Sequence, residues 1–222
     1  MCQNLVRFEP EPRLGNTVDE NRKAMSTMSK APPVLLASGS VYRREILQRI
    51  LTPFDSVTPE VDETPSADES PESTALRLSK MKTFSCAKIR PDALVIGSDQ
   101  VPALGDRHLD KPGSHDRAVA QLRACAGKTV VFYTAVSVVG PGAAPMESYV
   151  DETIVKFRSL SDAQIQHYLE LEQPYDCAGS FKAEALGIVL FESIENRDPT
   201  ALQGLPLIWL SKILRQRGID LP

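Results

Sequence analysis

The sequence predicts an α/β fold built on a mixed central sheet flanked by helices. Strand-like apolar runs alternate with helix-like segments along the chain, the pattern that layered α/β domains produce. One neighbouring pair, within residues 128–157, instead has the alternation of an antiparallel hairpin, so the sheet is not purely parallel. Size and composition agree. The 222 residues are 42% hydrophobic and 24% charged, enough to bury a core and unlike a collagen, a coiled-coil rod or a disordered chain.

Taken in order, residues 1–30 are polar and without sustained period, so they read as a disordered extension or as translation begun upstream of Met25 and Met28. A folded domain is expected over 31–222. Val34-Leu35-Leu36-Ala37 is a short buried strand, broken by Ser38-Gly39-Ser40. Tyr42 to Leu51 then places Ile46, Leu47 and Ile50 on one helical face. An acidic loop covers 58–70, and Ser70-Pro71 marks the start of a helix running towards Ile89. Ala93 to Leu104 is a buried strand with a polar end, and Ser114 caps a helix reaching about Ala124.

Lys128 to Val139 is rich in β-branched and aromatic residues. Tyr149 to Phe157 alternates as its antiparallel neighbour. Ser161-Asp162-Ala163-Gln164 is a capping box for the next helix. A strand over Gly187 to Phe191 and an amphipathic helix over Leu205 to Arg217, ended by Gly218, complete the chain.

Several function classes are excluded early. The net charge of −4, from 25 basic and 29 acidic residues, argues against coating nucleic acid or an anionic membrane. No run approaches the roughly 20 apolar residues that span a bilayer. The N-terminus also lacks a signal-peptide core, so a cytoplasmic protein is expected. Cys2, Cys86, Cys125 and Cys177 form no CxxC motif and read as reduced thiols.

Five groups of residues carry possible chemistry. Ser38, Ser40, Arg43 and Arg44 sit at a strand-to-helix junction, where helix-terminal N–H groups, hydroxyls and guanidinium groups would cradle a phosphate. The same residues serve equally well as a helix cap with solvated arginines. Glu60, Asp62 and Glu63 are hard oxygen donors of the kind that suit magnesium or manganese, though a solvated acidic turn has the same composition. Asp99 and Gln100 stand at the polar end of an apolar strand, where α/β sheets open onto ligands, and an Asp there can hold a metal or take a proton from water. Lys82 and Lys111, read singly, are surface lysines. The segment Cys177 to Glu184 is rich in small residues, which allow close approach to a ligand or simply form a turn. His108, His115 and His167 have no metal-site spacing and read as surface residues.

The order of these segments is more informative than any one of them. LASGSVYRREIL, EVDE, LRLSKMK, IGSDQV, DKPG, YDCAGSFKAEALG and GLPL follow one another as in the Maf family of metal-dependent nucleoside triphosphate pyrophosphatases, and the resemblance runs from about Pro33 to about Gly218. It implies a mixed α/β fold with a deep cleft, like that of the inosine-triphosphate pyrophosphatases. It also implies hydrolysis of a nucleoside triphosphate to monophosphate and pyrophosphate, a divalent cation (magnesium, manganese or cobalt) and a homodimer. Asp99 then matches the proton acceptor and Glu60 an acidic cleft position, with Asp62 and Glu63 following in the same motif. From their chemistry Asp99, Glu60, Asp62 and Glu63 are the expected metal ligands. Ser38, Arg43, Lys82 and Lys111 match phosphate-handling positions.

Within that family, IGSDQV and CAGSFKAE resemble the branch acting on 7-methyl-GTP, with Tyr42, Gln100 and Glu184 at the base-specificity positions. The alternatives are the same reaction on dTTP, UTP or another modified nucleotide, or a non-enzymatic nucleotide-binding regulator of division. Two residues depart from the family pattern: Asp110 precedes Lys111 where Gly is frequent, and Thr83 follows Lys82 where Ala is usual.

Overall fold

A computed structural model describes residues 3–8, 31–66, 68–142 and 144–222. The strands are β1 (Gln3–Phe8), β2 (Val34–Ala37), β3 (Phe54–Thr58), β4 (Leu94–Leu104), β5 (Arg107–His108), β6 (Thr129–Val139), β7 (Glu147–Phe157) and β8 (Phe191–Glu195). The helices are α1 (Val41–Gln48), α2 (Pro71–Ala87), α3 (His115–Cys125), α4 (Asp162–Glu172) and α5 (Leu207–Gln216). All eight strands join one sheet in the order β1-β3-β2-β4-β6-β7-β8, with β5 paired to β4. Only β2 runs parallel to its neighbours β3 and β4, and every other pairing is antiparallel. The sheet is mixed, as expected.

The caps read from the sequence form as written. Ser40, Ser70, Ser114 and Ser161 each accept a backbone N–H three residues on, and Gln164 returns the bond to Ser161. Gly218 sits past α5 with φ +82°, in the left-handed region that glycine enters without steric cost.

Three expectations need correction. Residues 3–8 do not belong to a disordered extension: they form β1, antiparallel to β3, with Phe8 stacked on Phe54 at 5.2 Å between ring centroids. The rest of the expected extension, residues 1–2 and 9–30, lies outside the described residues. The strand β3 was missed because FDSVT alternates over only five residues beside the acidic loop. The strand expected at Gly187 to Phe191 is instead a tight turn over Leu186–Leu190, followed by β8. A Cβ on Gly187 would collide with the Lys182 backbone carbonyl, so the chain is folded back on itself there rather than extended.

Two apolar cores lie side by side on one face of the sheet, and α2 covers the other face through Cys86 against Leu35, Ala37 and Val95. One core joins Leu36, Ile96 and Val136 to α1 and α5 through Leu47, Leu210 and Leu214. The other packs Phe132, Val155 and Phe157 beneath α3 and α4 through Leu122, Ile165 and Leu169. Phe181 is edge-on to Phe132, Phe157 and Phe191, at centroid distances of 5.3, 5.7 and 4.7 Å, which anchors the 177–184 segment in that core.

Helix α2 lies against β4 and β6 through small polar side chains. Ser79 Oγ is 2.8 Å from Ser137 Oγ, and Thr83 Oγ1 donates towards the Ser79 and Ser137 carbonyls at 2.8 and 3.1 Å. The unusual Thr83 is therefore a buried tie between helix and sheet. Gly97 makes this approach fit. A Cβ there would collide with Thr83 Oγ1 and come within 2.7 Å of the Ser79 carbonyl and the Thr83 nitrogen. Gly97→Ala should lower stability by about 1–3 kcal/mol or more, as overpacking against backbone does. Urea unfolding followed by far-UV circular dichroism would measure the loss, and an unchanged midpoint would contradict this packing.

Candidate active site

The C-terminal end of β2 and the middle of β4 open onto a cavity of about 950 Å³. Its walls include Ser38, Ser40, Tyr42, Arg43, Glu63, Lys82, Asp99, Gln100, Lys111 and Glu184, ten of the residues singled out from the sequence. They come from elements far apart in the chain, so the fold brings together what the motifs only ordered.

At the centre, Lys82 Nζ lies 2.6 Å from Asp99 Oδ1 and 2.7 Å from Glu63 Oε1. Lys82 and Asp99 are 6% and 7% exposed, so this ammonium sits in a largely desolvated site. Lys82 is one residue before Thr83 on α2, and Asp99 is two residues after Gly97 on β4. The close helix–sheet approach therefore sets their distance. Burying a lone charge is costly, and each partner here removes that cost for the other.

Arg43 begins on α1, whose N-cap Ser40 accepts the Arg43 backbone N–H at 3.4 Å. Its Nε donates to the Gly204 carbonyl at 2.9 Å, and Nη1 reaches Ser38 Oγ at 3.5 Å. Desolvation lowers the Arg43 pKa, while Asp99 and Glu63 act in the opposite sense. Those two carboxylates therefore face both cations. Ser38 is buried, and its hydroxyl also accepts the Ser40 N–H at 3.1 Å.

Tyr42 belongs to a second group. Burial, then the Cys177 thiol, Asp176 and Glu184, push its phenol above the ordinary tyrosine range. It is therefore a neutral ring beside two carboxylates. Gln100 is held from behind: its Nε2 donates to Thr134 Oγ1 at 2.9 Å and towards the Ala201 and Leu202 carbonyls at 3.1 and 3.0 Å.

Three of the predicted residues do not line the cavity. Arg44 turns back to the Gly39 carbonyl at 3.0 Å and lies over the Phe8 ring at 5.9 Å. The Thr64 hydroxyl, and then the Thr64 N–H that Asp62 accepts at 2.9 Å, lower the Asp62 pKa and commit it to the turn. Glu60 is exposed on the loop. The expected four-carboxylate metal set thus does not converge, and among the described residues no group of three or more metal-ligating side chains does. Asp99 and Glu63 remain, both against one ammonium. Two carboxylates meeting at a cation fit magnesium-type coordination, which takes one or two protein carboxylates and completes its shell with substrate phosphates and water.

With this arrangement established, its relatives are informative. Residues 33–217 match the family described as Maf-like protein. The chain belongs to the Maf family. It is 51% identical over 190 residues to a 7-methyl-GTP pyrophosphatase of Thiobacillus denitrificans, covering 86% of this chain and 94% of that protein. Proteins of the same name from Polaromonas sp. and Xanthomonas axonopodis pv. citri are 50% and 51% identical, covering 93% and 86% of this chain and 94% and 100% of theirs.

Several contributors to this Maf site were not found by sequence reasoning. Asp176, Ser98 and Gly204 lie inside the quoted motifs but carry no predicted role, and Thr134 and Ala201–Gln203 lie outside every motif. Thr134, Ser98 and the turn bond to the predicted residues or their supports, and Asp176 acts on Tyr42. His108, read as a surface residue, lines the cavity. His115 is also engaged, with Nδ1 3.0 Å from Tyr175 Oη and Nε2 2.6 Å from Gln166 Oε1.

Cys177 lines the cavity but is a poor nucleophile, because burial and Asp176 push its thiol up to about 11. The thiolate is the reactive form, so alkylation at neutral pH should run roughly a hundredfold slower than at an ordinary thiol. Iodoacetamide labelling followed by peptide mass spectrometry would check this, and labelling as fast as free cysteine would count against it.

Proposed function

We propose that this Maf protein hydrolyses 7-methyl-GTP to 7-methyl-GMP and pyrophosphate, removing a modified nucleotide from the pool. The observation that supports it best is the division of one cavity into two groups of opposite character. Arg43 and Lys82 offer cations to a triphosphate. Tyr42 with Asp176 and Glu184 offers an aromatic face and negative charge to a base. N7-methylguanine is cationic, and stacking a cation on an aromatic ring contributes about 0.5–2 kcal/mol. A neutral or pyrimidine base would gain little from those two carboxylates.

In this reading Asp99 orients a water against the α-phosphorus and accepts its proton as the new P–O bond forms. The bridging α–β P–O bond breaks, and pyrophosphate departs. Lys82, drawn from its carboxylates towards the phosphates, and Arg43 neutralise the charge that grows on the leaving group, which is most of the catalytic task in such transfers. Lys111 at the cavity wall adds a further cation. Ser38 and the Gly204 carbonyl keep the Arg43 guanidinium aimed. A divalent cation would be held by Asp99 and Glu63, where it would act as a Lewis acid on phosphate oxygen and acidify water. Asp62 and Arg44 have no part in this scheme.

The test is pyrophosphate release by the purified protein with magnesium, manganese or cobalt across a nucleoside triphosphate panel. Preferential hydrolysis of 7-methyl-GTP is expected, and Asp99→Asn should lower kcat by roughly 10²–10⁴ with an unchanged circular dichroism spectrum. Turnover near wild type in that variant would remove Asp99 from the chemistry. Tyr42→Arg combined with Gln100→Thr should shift preference towards dTTP and UTP. An unshifted preference would dissociate those positions from base choice.

A further inference from the structure

The loop before α5 supplies an unusual density of acceptors to the cavity. Residues Ala201–Gln203 make one tight turn that ends at Gly204, whose φ of +106° lets the chain reverse. Three carbonyls of this turn point back at the sheet. The Ala201 carbonyl accepts from Thr134 Oγ1 at 3.0 Å and from Gln100 Nε2 at 3.1 Å, and the Leu202 carbonyl accepts from Gln100 Nε2 at 3.0 Å. The Gly204 carbonyl accepts from Arg43 Nε at 2.9 Å and from Ser98 Oγ at 2.8 Å.

This arrangement decides which way the Gln100 amide faces. Thr134 is fully buried and lies directly opposite Gln100 across the β4–β6 ladder. Its single hydroxyl proton goes to the Ala201 carbonyl, so the hydroxyl can only accept from Gln100. Rotating the amide by half a turn would place Oε1 against two carbonyl oxygens and a hydroxyl whose proton is already used. That orientation pairs acceptor with acceptor. The NH₂ group is therefore spent on the protein, and the carbonyl oxygen is what Gln100 has left for a ligand.

We propose that Thr134 and the 201–204 turn are positioning elements that fix Gln100 as a hydrogen-bond acceptor, so that the cavity selects bases presenting a donor edge. The inference rests on the base-binding reading of Gln100 given above. Together with the Glu184 carboxylate, Gln100 Oε1 makes a pair of acceptors. Guanine matches such a pair through N1–H and its 2-amino group, whereas a hypoxanthine lacks the 2-amino donor. The same turn holds Arg43 through Gly204, so base reading and phosphate reading share one backbone support.

The experiment compares 7-methyl-GTP with 7-methyl-ITP, which keeps the positive charge and loses the 2-amino group, on the full-length enzyme. Losing one hydrogen bond to a site built for it should reduce kcat/KM for the inosine analogue at least about tenfold. A smaller reduction, with 7-methyl-GTP itself well hydrolysed, overturns this inference and leaves the proposed function standing. No hydrolysis of 7-methyl-GTP overturns both. In Thr134→Val the preference should shrink towards unity, mainly through a higher KM for 7-methyl-GTP, while Thr134→Ser retains it. A folded Thr134→Val enzyme with wild-type preference refutes the positioning role. Should that variant fail to fold, the wild-type comparison still decides whether the cavity reads a donor edge, and a Gln100→Leu enzyme that kept the wild-type preference would overturn the role given to Gln100.

Discussion

The approach of α2 to β4 across Gly97 is the constraint on which the site depends. Without a Cβ at Gly97, Ser79 and Thr83 come close enough to hydrogen-bond into the sheet, and the position just before Thr83 delivers Lys82 to Asp99 at 2.6 Å. A longer helix–sheet spacing would leave both charges buried without partners, an arrangement costing several kcal/mol. The packing that holds the domain together is thus the packing that assembles the chemistry. This also explains why α2 buries hydroxyls and a lysine where an ordinary core helix would bury leucines.

Such a pair is a poor device for stability and a good one for binding a polyanion. The two carboxylates, the Lys82 ammonium and the Arg43 guanidinium already compensate each other, so the protein tolerates the charges before substrate arrives. In the proposed reaction a triphosphate would compete with Asp99 and Glu63 for Lys82 and Arg43. The carboxylates it displaces are the groups suited to receive a proton or a divalent cation. Under that proposal, substrate entry and activation of the acidic residues would be a single exchange of partners, taking place where low dielectric strengthens every term.

Much of this was legible in the sequence, and the reasons for success and failure are specific. Helix starts were readable because Ser40, Ser70, Ser114 and Ser161 cap by local chemistry, which needs no tertiary context. The long strands β4, β6 and β7 were readable because each runs 11 residues in apolar or alternating pattern. Short edge elements were not. NLVRF became a strand only through Phe54, a partner some 50 residues distant in sequence, and the turn at Leu186–Leu190 has the same β-branched composition as a strand. Among site residues, Asp99, Lys82 and Arg43 were marked by charge in suggestive places. Asp62 and Arg44 carried the same mark, and their local hydrogen bonds drew them elsewhere. Thr134 bore no mark at all and Gly204 only its place in GLPL, because their contribution is a hydroxyl and a carbonyl aimed by the fold.

The sequence patterns also could not show polarity along the cavity, which follows from placement. The chain is acidic overall, at −4, yet Arg43 and Lys82 meet around Asp99 while Asp176 and Glu184 gather near Tyr42. A ligand carrying negative charge at one end and positive charge at the other lowers its energy in one orientation and raises it in the reverse. Ordinary GTP has only the negative end, so half of that orienting field does nothing for it. For 7-methyl-GTP both halves act, and they act before any hydrogen bond to the base is made. On the proposed roles of these residues, discrimination by field and discrimination by the Gln100 acceptor would be successive filters: the first selects the charge of the base, the second its donor pattern.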